Sequence, residues 1–196
     1  MSLTLYANPY DKFDEWFQKA VKSEPADPNA MTLATSSAAG QPSARTVLMK
    51  SFDESGFVFY TNYNSRKARD FLQNPQAALL FYWKSLERQV RIEGRVEKVT
   101  AAQSDEYFAT RPELSQLGAW ASAQSEPLDS REALLRRMDE YKAKLNGQDI
   151  PRPPHWGGYI LKPEYFEFWQ AGENRLHDRL VYMRKRDDCE TQRLNP

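Results

Sequence analysis

Near the C-terminus the stretch RLHDR puts Arg175, His177, Asp178 and Arg179 within five consecutive positions. His177 and His155 are the only histidines of the chain. An imidazole beside a carboxylate could do acid–base work or bind a metal. One histidine with no nearby cysteine offers too few ligands for a metal, and neighbours on a strand point apart, so no His177–Asp178 hydrogen bond is implied. If the stretch is extended, Arg175, His177 and Arg179 share one face instead. Three potential cations on one face repel unless something anionic or electron-rich lies among them. RLHDR therefore reads as one wall of an anion-binding site, with a solvated surface loop as the alternative.

Other basic stretches raise the same question. In NSRKARDF, Ser65 is placed to cap a helix, which puts Arg66 and Lys67 in its first turn, where cations oppose the helix dipole. An anion held by free N–H groups and these two side chains would remove the conflict; a solvated basic turn is the bland reading. In ARTVLMK, Arg45 and Lys50 are five apart and point to opposite faces of a regular strand. They can serve one site only if the strand bends, or if two faces or two subunits contribute; otherwise they simply end a strand. In EYFATRPELSQ, Tyr107 and Arg111 are four apart on a predicted helix face, and Ser115 follows a proline-directed turn. Two hydroxyls and a guanidinium make a phosphate clamp, or a half-buried tyrosine packed on an arginine stem. Gln89, on a charged strand face, and Gln124 and Ser125, in a loop, say little alone.

These residues need elements to hold them. PYDKFDEWFQKAV predicts a helix with Phe13, Trp16, Phe17, Ala20 and Val21 on one face, ended by EPADPN. AMTLATSS, ARTVLMKSF and GFVFYTN, separated by short turns, predict strands in an antiparallel meander. After the short helix SRKARDFLQN come the strands AALLFYW and ERQVRIEGRVEKV. In the latter, Glu87, Gln89, Arg91, Glu93, Arg95 and Glu97 face one way and Val90, Ile92 and Val96 the other. AAQSDEYFATR predicts a helix that stops near Pro112. DSREALLRRMDEYKAKLNG predicts another, with Asp129 as cap, Glu132 completing a capping box, a stripe of Leu134, Met138, Tyr141 and Leu145, and Gly147 as the stop. The proline-rich IPRPPHW is a connection. WGGYILKP, EYFEFWQ and LVYMRKR supply the last strands. The expected class is α+β, mainly β: a barrel or sandwich of antiparallel strands with helices packed around it.

The composition narrows the setting. A chain of 196 residues with 40 % hydrophobic and 13 % aromatic residues can fill the core of a single domain, 1–196, with residues 1–11 as a short N-terminal arm. Lys plus Arg and Asp plus Glu both number 27, so no global basic field for nucleic acid exists, although local patches remain. Cys189 is the only cysteine, so no internal disulfide forms. The N-terminus lacks the basic start and apolar core of a secretory signal, and no apolar run approaches the roughly 20 residues that span a bilayer. A soluble, cytoplasmic protein without membrane or nucleic-acid partners is expected.

RTVLMK, YTNYNSRKA, LERQVRIEG, YFATRPELSQLGAWAS, QS and FWQAGENRLHDR occur in that order between about residue 12 and the terminal RLNP. Together they resemble the pyridoxamine (pyridoxine) 5′-phosphate oxidases; the ordered set, rather than any one piece, is specific. The resemblance implies an FMN-binding split β-barrel, assembled as a homodimer with its sites at the interface. It implies oxidation of pyridoxamine or pyridoxine 5′-phosphate by O2 to pyridoxal 5′-phosphate and H2O2, a step of vitamin B6 salvage and biosynthesis. By resemblance the flavin group is Arg45, Thr46, Val47, Leu48, Met49, Lys50, Tyr60, Thr61, Arg66, Lys67, Gln89, Gln124, Ser125, Trp169 and Arg179. The substrate group is Lys50, Tyr107, Arg111, Ser115, Arg175 and His177. Of these, the first four clamp the phosphate, and Arg175 and His177, the catalytic pair, cover the pyridine ring.

Two phosphates require two cationic clusters, and a neutral chain that concentrates Arg and Lys in a few motifs supplies them. The cofactor carries the hydride chemistry, which accounts for the lack of a Ser-His-Asp or metal constellation. Family members often have a basic, tyrosine-containing N-terminal arm over the substrate; the start of this chain shows no counterpart. Two other functions fit the same residues. One is a flavin oxidase of this fold acting on another substrate such as a phenazine precursor, against which the intact substrate group argues. The other is a non-catalytic FMN- or pyridoxal-phosphate-binding protein, which turnover would exclude.

Overall fold

In the computed structural model, which describes residues 3–145, 149–185 and 188–196, the first apolar stripe forms α1 (Pro9–Ser23). The Asn8 side chain caps it by accepting from the Tyr10 N–H at 2.9 Å, and Pro9 occupies the first turn, where a missing N–H costs nothing. Phe13, Trp16 and Ala20 are buried, but Val21 is 49 % exposed, so the buried side is narrower than the sequence stripe.

Among the described residues nine strands follow: β1 (Ala30–Ser36), β2 (Pro42–Leu48), β3 (Ser51–Asp53), β4 (Gly56–Asn62), β5 (Gln76–Trp83), β6 (Arg88–Lys98), β7 (Trp156–Gln170), β8 (Asp178–Lys185) and β9 (Asp188–Leu194). They form one antiparallel sheet in the order β2-β1-β5-β6-β7-β4-β3, with β8 also on β7 and β9 on β8. The meander expected over the first strands is interrupted. Strand β4 does not join β2 but pairs with β7, Phe57 opposite Leu161. One edge of β7 pairs with β6, while the other is shared, residues 156–161 by β4 and residues 165–170 by β8. The sheet curls around a core in which Leu33, Phe57, Phe59, Phe81, Ile92 and Phe168 have no exposed surface.

The alternation of β6 holds, with Val90, Ile92 and Val96 buried. Glu87 lies just before that strand, with a left-handed φ of 51°. WGGYILKP and EYFEFWQ form one strand, not two: Pro163, which cannot donate to the ladder, sits opposite Gly94 beside a bulge in which Glu164 is the extra residue, and pairing resumes at Tyr165. Only glycine fits at 94: a Cβ there would stand 2.0 Å from the Lys162 carbonyl oxygen.

The helices are α2 (Arg66–Gln73), α3 (Ala101–Ala109), α4 (Glu113–Ala121) and α5 (Arg131–Leu145). Helix α4 and strand β9 were not foreseen from sequence. Ser130, rather than Asp129, caps α5, its hydroxyl accepting from the Ala133 N–H at 3.2 Å. Leu134, Met138, Tyr141 and Leu145 are only half-buried, since α5 packs chiefly on α4, Tyr141 against Trp120 at 5.7 Å. Gly147, the expected stop, and Arg186, the end of LVYMRKR, lie outside the described residues. Among the described residues no helix is long and apolar enough to cross a membrane.

Candidate active site

A cavity of about 790 Å³ opens where β2, β4, α2, the α3–α4 turn and the start of β7 converge. Arg45, Thr46, Val47, Leu48, Lys50, Tyr60, Thr61, Lys67, Tyr107, Arg111, Ser115 and Gln124 all line it. Arg45 and Lys50 reach the same space because β2 ends at Leu48 and the chain turns before β3. Four cationic side chains line the cavity, Arg45, Lys50, Lys67 and Arg111, and no described carboxylate does. Such a charge imbalance favours an anion.

At one end, β1 and α2 fix Arg45. Its Nη1 donates to Thr35 Oγ1 at 2.8 Å and to the Leu33 carbonyl at 3.2 Å, and Nη2 donates to Ser43 Oγ at 2.8 Å. Thr35 in turn donates to Asp70 Oδ2 at 2.6 Å, and that carboxylate lies 4.0 Å from Arg45. Sequence reading missed Thr35 and Asp70; nothing in ATSS or RDF marks them until the strand and helix are brought together.

Lys67 is buried at 8 % exposure. Its Nζ donates to Gln124 Oε1 at 2.8 Å, to Thr61 Oγ1 at 2.9 Å and to Ser65 Oγ at 3.3 Å, all neutral acceptors. Burial, and then the charge of Arg45, pull its pKa down to about 8. Ser65 stands at the helix start as expected, but its hydroxyl donates to the Asn62 carbonyl rather than capping. The Arg66 N–H, expected free for an anion, donates to Ser125 Oγ at 3.2 Å. Neither Arg66 nor Ser125 lines the cavity, and Met49 is buried behind it.

At the other end, α3 stops at Ala109, so Tyr107 and Arg111 do not share a helical face. Arg111 lies in the turn between the helices and Ser115 in the first turn of α4, yet all three line the cavity. Tyr107 stacks on Tyr60 at 4.0 Å, and Lys50 Nζ sits 5.9 Å from the Tyr107 ring. Trp156, which sequence reading put at the junction of a connection and a strand without a role at the site, starts β7, lines the cavity and stacks on Tyr60 at 5.4 Å. Its signal was an aromatic residue between a proline run and an apolar strand.

The rest of the expected site is elsewhere on the chain. None of Gln89, Trp169, Arg175, His177 and Arg179 lines this cavity. Gln89, Trp169, His177 and Arg179 form a second cluster on β6, β7 and the start of β8, and Arg175 lies in the turn just before it. Gln89 pairs opposite Trp169 and Trp169 opposite Arg179, and the Trp169 ring lies 4.6 Å from His177. The Gly172 N–H donates to His177 Nδ1 at 3.3 Å. RLHDR is not extended throughout: Asn174 and Arg175 are left-handed, with φ of 53° and 64°, and β8 begins only at Asp178. The single face expected for Arg175, His177 and Arg179 is therefore lost. Asp178 turns from the cluster and accepts from the Leu3 N–H at 2.5 Å and from Arg193 at 3.0 Å.

Arg179 Nε donates to Glu167 Oε1 at 2.7 Å, and Arg91 Nη2 donates to the other oxygen at 2.6 Å. Burial raises the Glu167 pKa, but the hydrogen bonds and charges of Arg179 and Arg91 outweigh it and hold the carboxyl below the usual range. Among the described residues no cluster of His, Cys, Asp and Glu could hold a metal ion.

Against known proteins, residues 17–144 match a family described as pyridoxamine 5′-phosphate oxidase, and residues 156–196 match one described as the pyridoxine 5′-phosphate oxidase C-terminal dimerisation region. A curated relative from Rubrobacter xylanophilus, named pyridoxine/pyridoxamine 5′-phosphate oxidase, is 56 % identical over 96 % of this chain and 87 % of its own. One of the same name from Bordetella avium is 60 % identical over 90 % of this chain and 83 % of its own. Among solved structures, PhzG from Burkholderia lata in complex with tetrahydrophenazine-1-carboxylic acid superposes with a TM-score of 0.92 at 32 % identity, covering 100 % of this chain and 99 % of that one. A pyridoxamine 5′-phosphate oxidase-related, FMN-binding protein from Nostoc punctiforme has a TM-score of 0.77 at 18 % identity, over 96 % of this chain and 98 % of that one, a likeness of fold alone. The curled sheet with its helices is thus a split barrel of this type.

Proposed function

The chain belongs to the pyridoxamine 5′-phosphate oxidase family and is an oxidoreductase, and from that premise we propose that it uses FMN and O2 to oxidise pyridoxamine or pyridoxine 5′-phosphate to pyridoxal 5′-phosphate, releasing H2O2; with the amine, water is also taken up and the nitrogen leaves as ammonia. The observation that carries the reading is the cavity lined by Arg45, Lys50, Lys67 and Arg111 without a described carboxylate. Its two ends suit two phosphates. A buried ammonium surrounded only by neutral oxygens, as at Lys67, fits an anion brought in by a cofactor. Arg45, Thr61, Lys67 and Gln124 would hold the FMN phosphate, while Thr46, Val47 and Leu48 border the flavin. Lys50, Tyr107, Arg111 and Ser115 would hold the substrate phosphate.

Held by those residues, FMN would supply the hydride-accepting and O2-reducing chemistry at the substrate C4′. The chain's own residues position the two partners. Anchoring both phosphates fixes the distance between the rings, so that the reaction proceeds within one complex. Gln89, Trp169, Arg175, His177 and Arg179 belong to the same site in this reading. They lie outside the cavity of their own chain, so they would complete the cavity of a second copy in a homodimer, with Arg175 and His177 over the pyridine ring. The match of residues 156–196 to a dimerisation region supports that assembly.

The likeness to PhzG favours a second reading, in which a reduced phenazine precursor is the substrate. The phosphate-clamp side chains, and the higher identity to relatives named for the phosphorylated vitamin, favour the first. An anaerobic visible spectrum of the FMN-loaded protein tests it. Bleaching of the flavin band on adding pyridoxamine 5′-phosphate, with recovery in air, is expected. A band that stays unbleached by that compound and by pyridoxine 5′-phosphate, but bleaches with a dihydrophenazine acid, would overturn it.

A further inference from the structure

We infer that Trp156 is a positioning residue for substrate: its indole is the plate that holds Arg111 and Tyr107 ready for the phosphate. The inference rests on the reading of Arg111 as a phosphate-binding side chain.

The Arg111 guanidinium lies 4.6 Å from the Trp156 ring and 5.6 Å from Phe108. Its Nη1 is buried without a hydrogen-bond partner. Among the described residues no ion pair and no hydrogen bond fixes that buried end, so the aromatic contacts set its pose. A guanidinium held against an aromatic ring keeps its in-plane N–H donors free. Phosphate is read by those donors.

The same indole orders Tyr107. Tyr60, Tyr107 and Trp156 form a nearly parallel set, with interplanar angles of 19°, 11° and 9°. Phe108 meets the indole edge-on at 5.1 Å.

The backbone that carries the plate is pinned on both sides. The Trp156 carbonyl accepts from Arg152 Nη1 at 2.6 Å, and its N–H donates to the Pro153 carbonyl at 3.1 Å. The preceding His155 carbonyl accepts from the Tyr63 N–H at 2.6 Å, which ties this backbone to the end of β4. At 7 % exposure the ring is almost buried, yet it borders the cavity. A side chain that only filled core would have no need to meet both Arg111 and Tyr107.

The test uses FMN-loaded wild type, Trp156→Phe, Trp156→Leu and Arg111→Ala, titrated calorimetrically with 4-deoxypyridoxine 5′-phosphate, which has no oxidisable C4′ substituent, and with 4-deoxypyridoxine. Phe keeps a smaller plate and Leu removes it. The phosphorylated probe should bind about threefold weaker to Trp156→Phe and about tenfold weaker to Trp156→Leu, with FMN affinity and binding of the unphosphorylated probe within about twofold of wild type. If Trp156→Leu does not fold, the Phe variant decides by the same comparison. Unchanged affinity in the folded Trp156 variants, with weakened binding in Arg111→Ala, overturns the role of Trp156 alone. Unchanged affinity in Arg111→Ala overturns the clamp as well.

Discussion

The lowered pKa of Lys67 makes FMN affinity depend on pH in a defined window. In the free protein burial and Arg45 hold the ammonium at about 8, against an ordinary value of 10.5. The phosphate of FMN is dianionic above about pH 6. Placed against Lys67, it favours the charged form and moves that pKa back up. Full recovery from about 8 to 10.5 would couple proton and phosphate by about 3 kcal/mol, at about 1.4 kcal/mol per tenfold change in proton affinity. Affinity should therefore be nearly flat from about pH 6.5 to 7.5. Above about pH 8 the dissociation constant should rise by up to about tenfold per pH unit, because binding must then recruit a proton. The free protein moves the other way: a lysine whose folded pKa is depressed adds stability as pH rises from about 8 towards 10.5. Flavin fluorescence titrations at constant ionic strength, from pH 6.5 to 9.5, would measure this for wild type and Lys67→Met. The variant should bind about 10- to 100-fold weaker at pH 7, the loss of a charge-assisted hydrogen bond, and should show no slope above pH 8. A flat wild-type curve to pH 9.5, or the same slope in both proteins, refutes a phosphate at Lys67.

Other consequences are as direct. Arg175→Leu should lower turnover by about 100-fold or more while FMN stays bound, measured by oxygen uptake and the flavin spectrum of the purified protein; loss of flavin would count against its place over the substrate. Glu167→Gln should cost about 1–3 kcal/mol, discounted because the Arg91 and Arg179 side chains are 37 % and 27 % exposed, read as a fall in melting temperature of several degrees. Because the folded pKa of Glu167 is depressed, its stabilisation is present above the ordinary 4.5 and is lost as pH falls through the folded value; the wild-type and variant melting curves should converge in acid. Gly94→Ala should destabilise by about 2 kcal/mol or more, since its Cβ would meet backbone 2.0 Å away; a melting temperature unchanged from wild type would show that the bulge can shift.

Much of the fold was legible because burial follows period. The alternation of Val90, Ile92 and Val96 and the stripe of Phe13, Trp16 and Ala20 are each set by one buried face. Features set by distant partners were not legible. Pro163 looks like a strand end until the bulge at Glu164, with Gly94 across from Pro163, carries the strand past it. Helix α4 hides in LSQLGAWAS, whose small residues and single glycine give a weak stripe. At the site, the residue types were readable as two cationic groups, and the members of each end of the cavity do converge. Their geometry was not. Asn174 and the Pro112 that follows Arg111 are only weak local signs of a left-handed pair and of a turn, and nothing local marks Arg175 as left-handed. Trp156 was missed because a tryptophan beside prolines reads as packing until the rings around it are placed.

The position of β7 also sets the order in which the newborn chain can fold. Strand β4 ends at Asn62, and its partner segment begins only at Trp156. About 100 residues, roughly 5–20 s of synthesis at roughly 5–20 residues per second, separate the two. During that interval Phe57 and Phe59 lie on a strand whose β7 edge has nothing to pair with, a surface open to intermolecular pairing or to chaperones. The arrival of one late strand then joins β4 to β6, and β8 follows onto the edge that β7 still leaves open. A ribosome stalled before residue 156 should hold a protease-sensitive chain, and one stalled with β7 and β8 outside the exit tunnel should hold a resistant one.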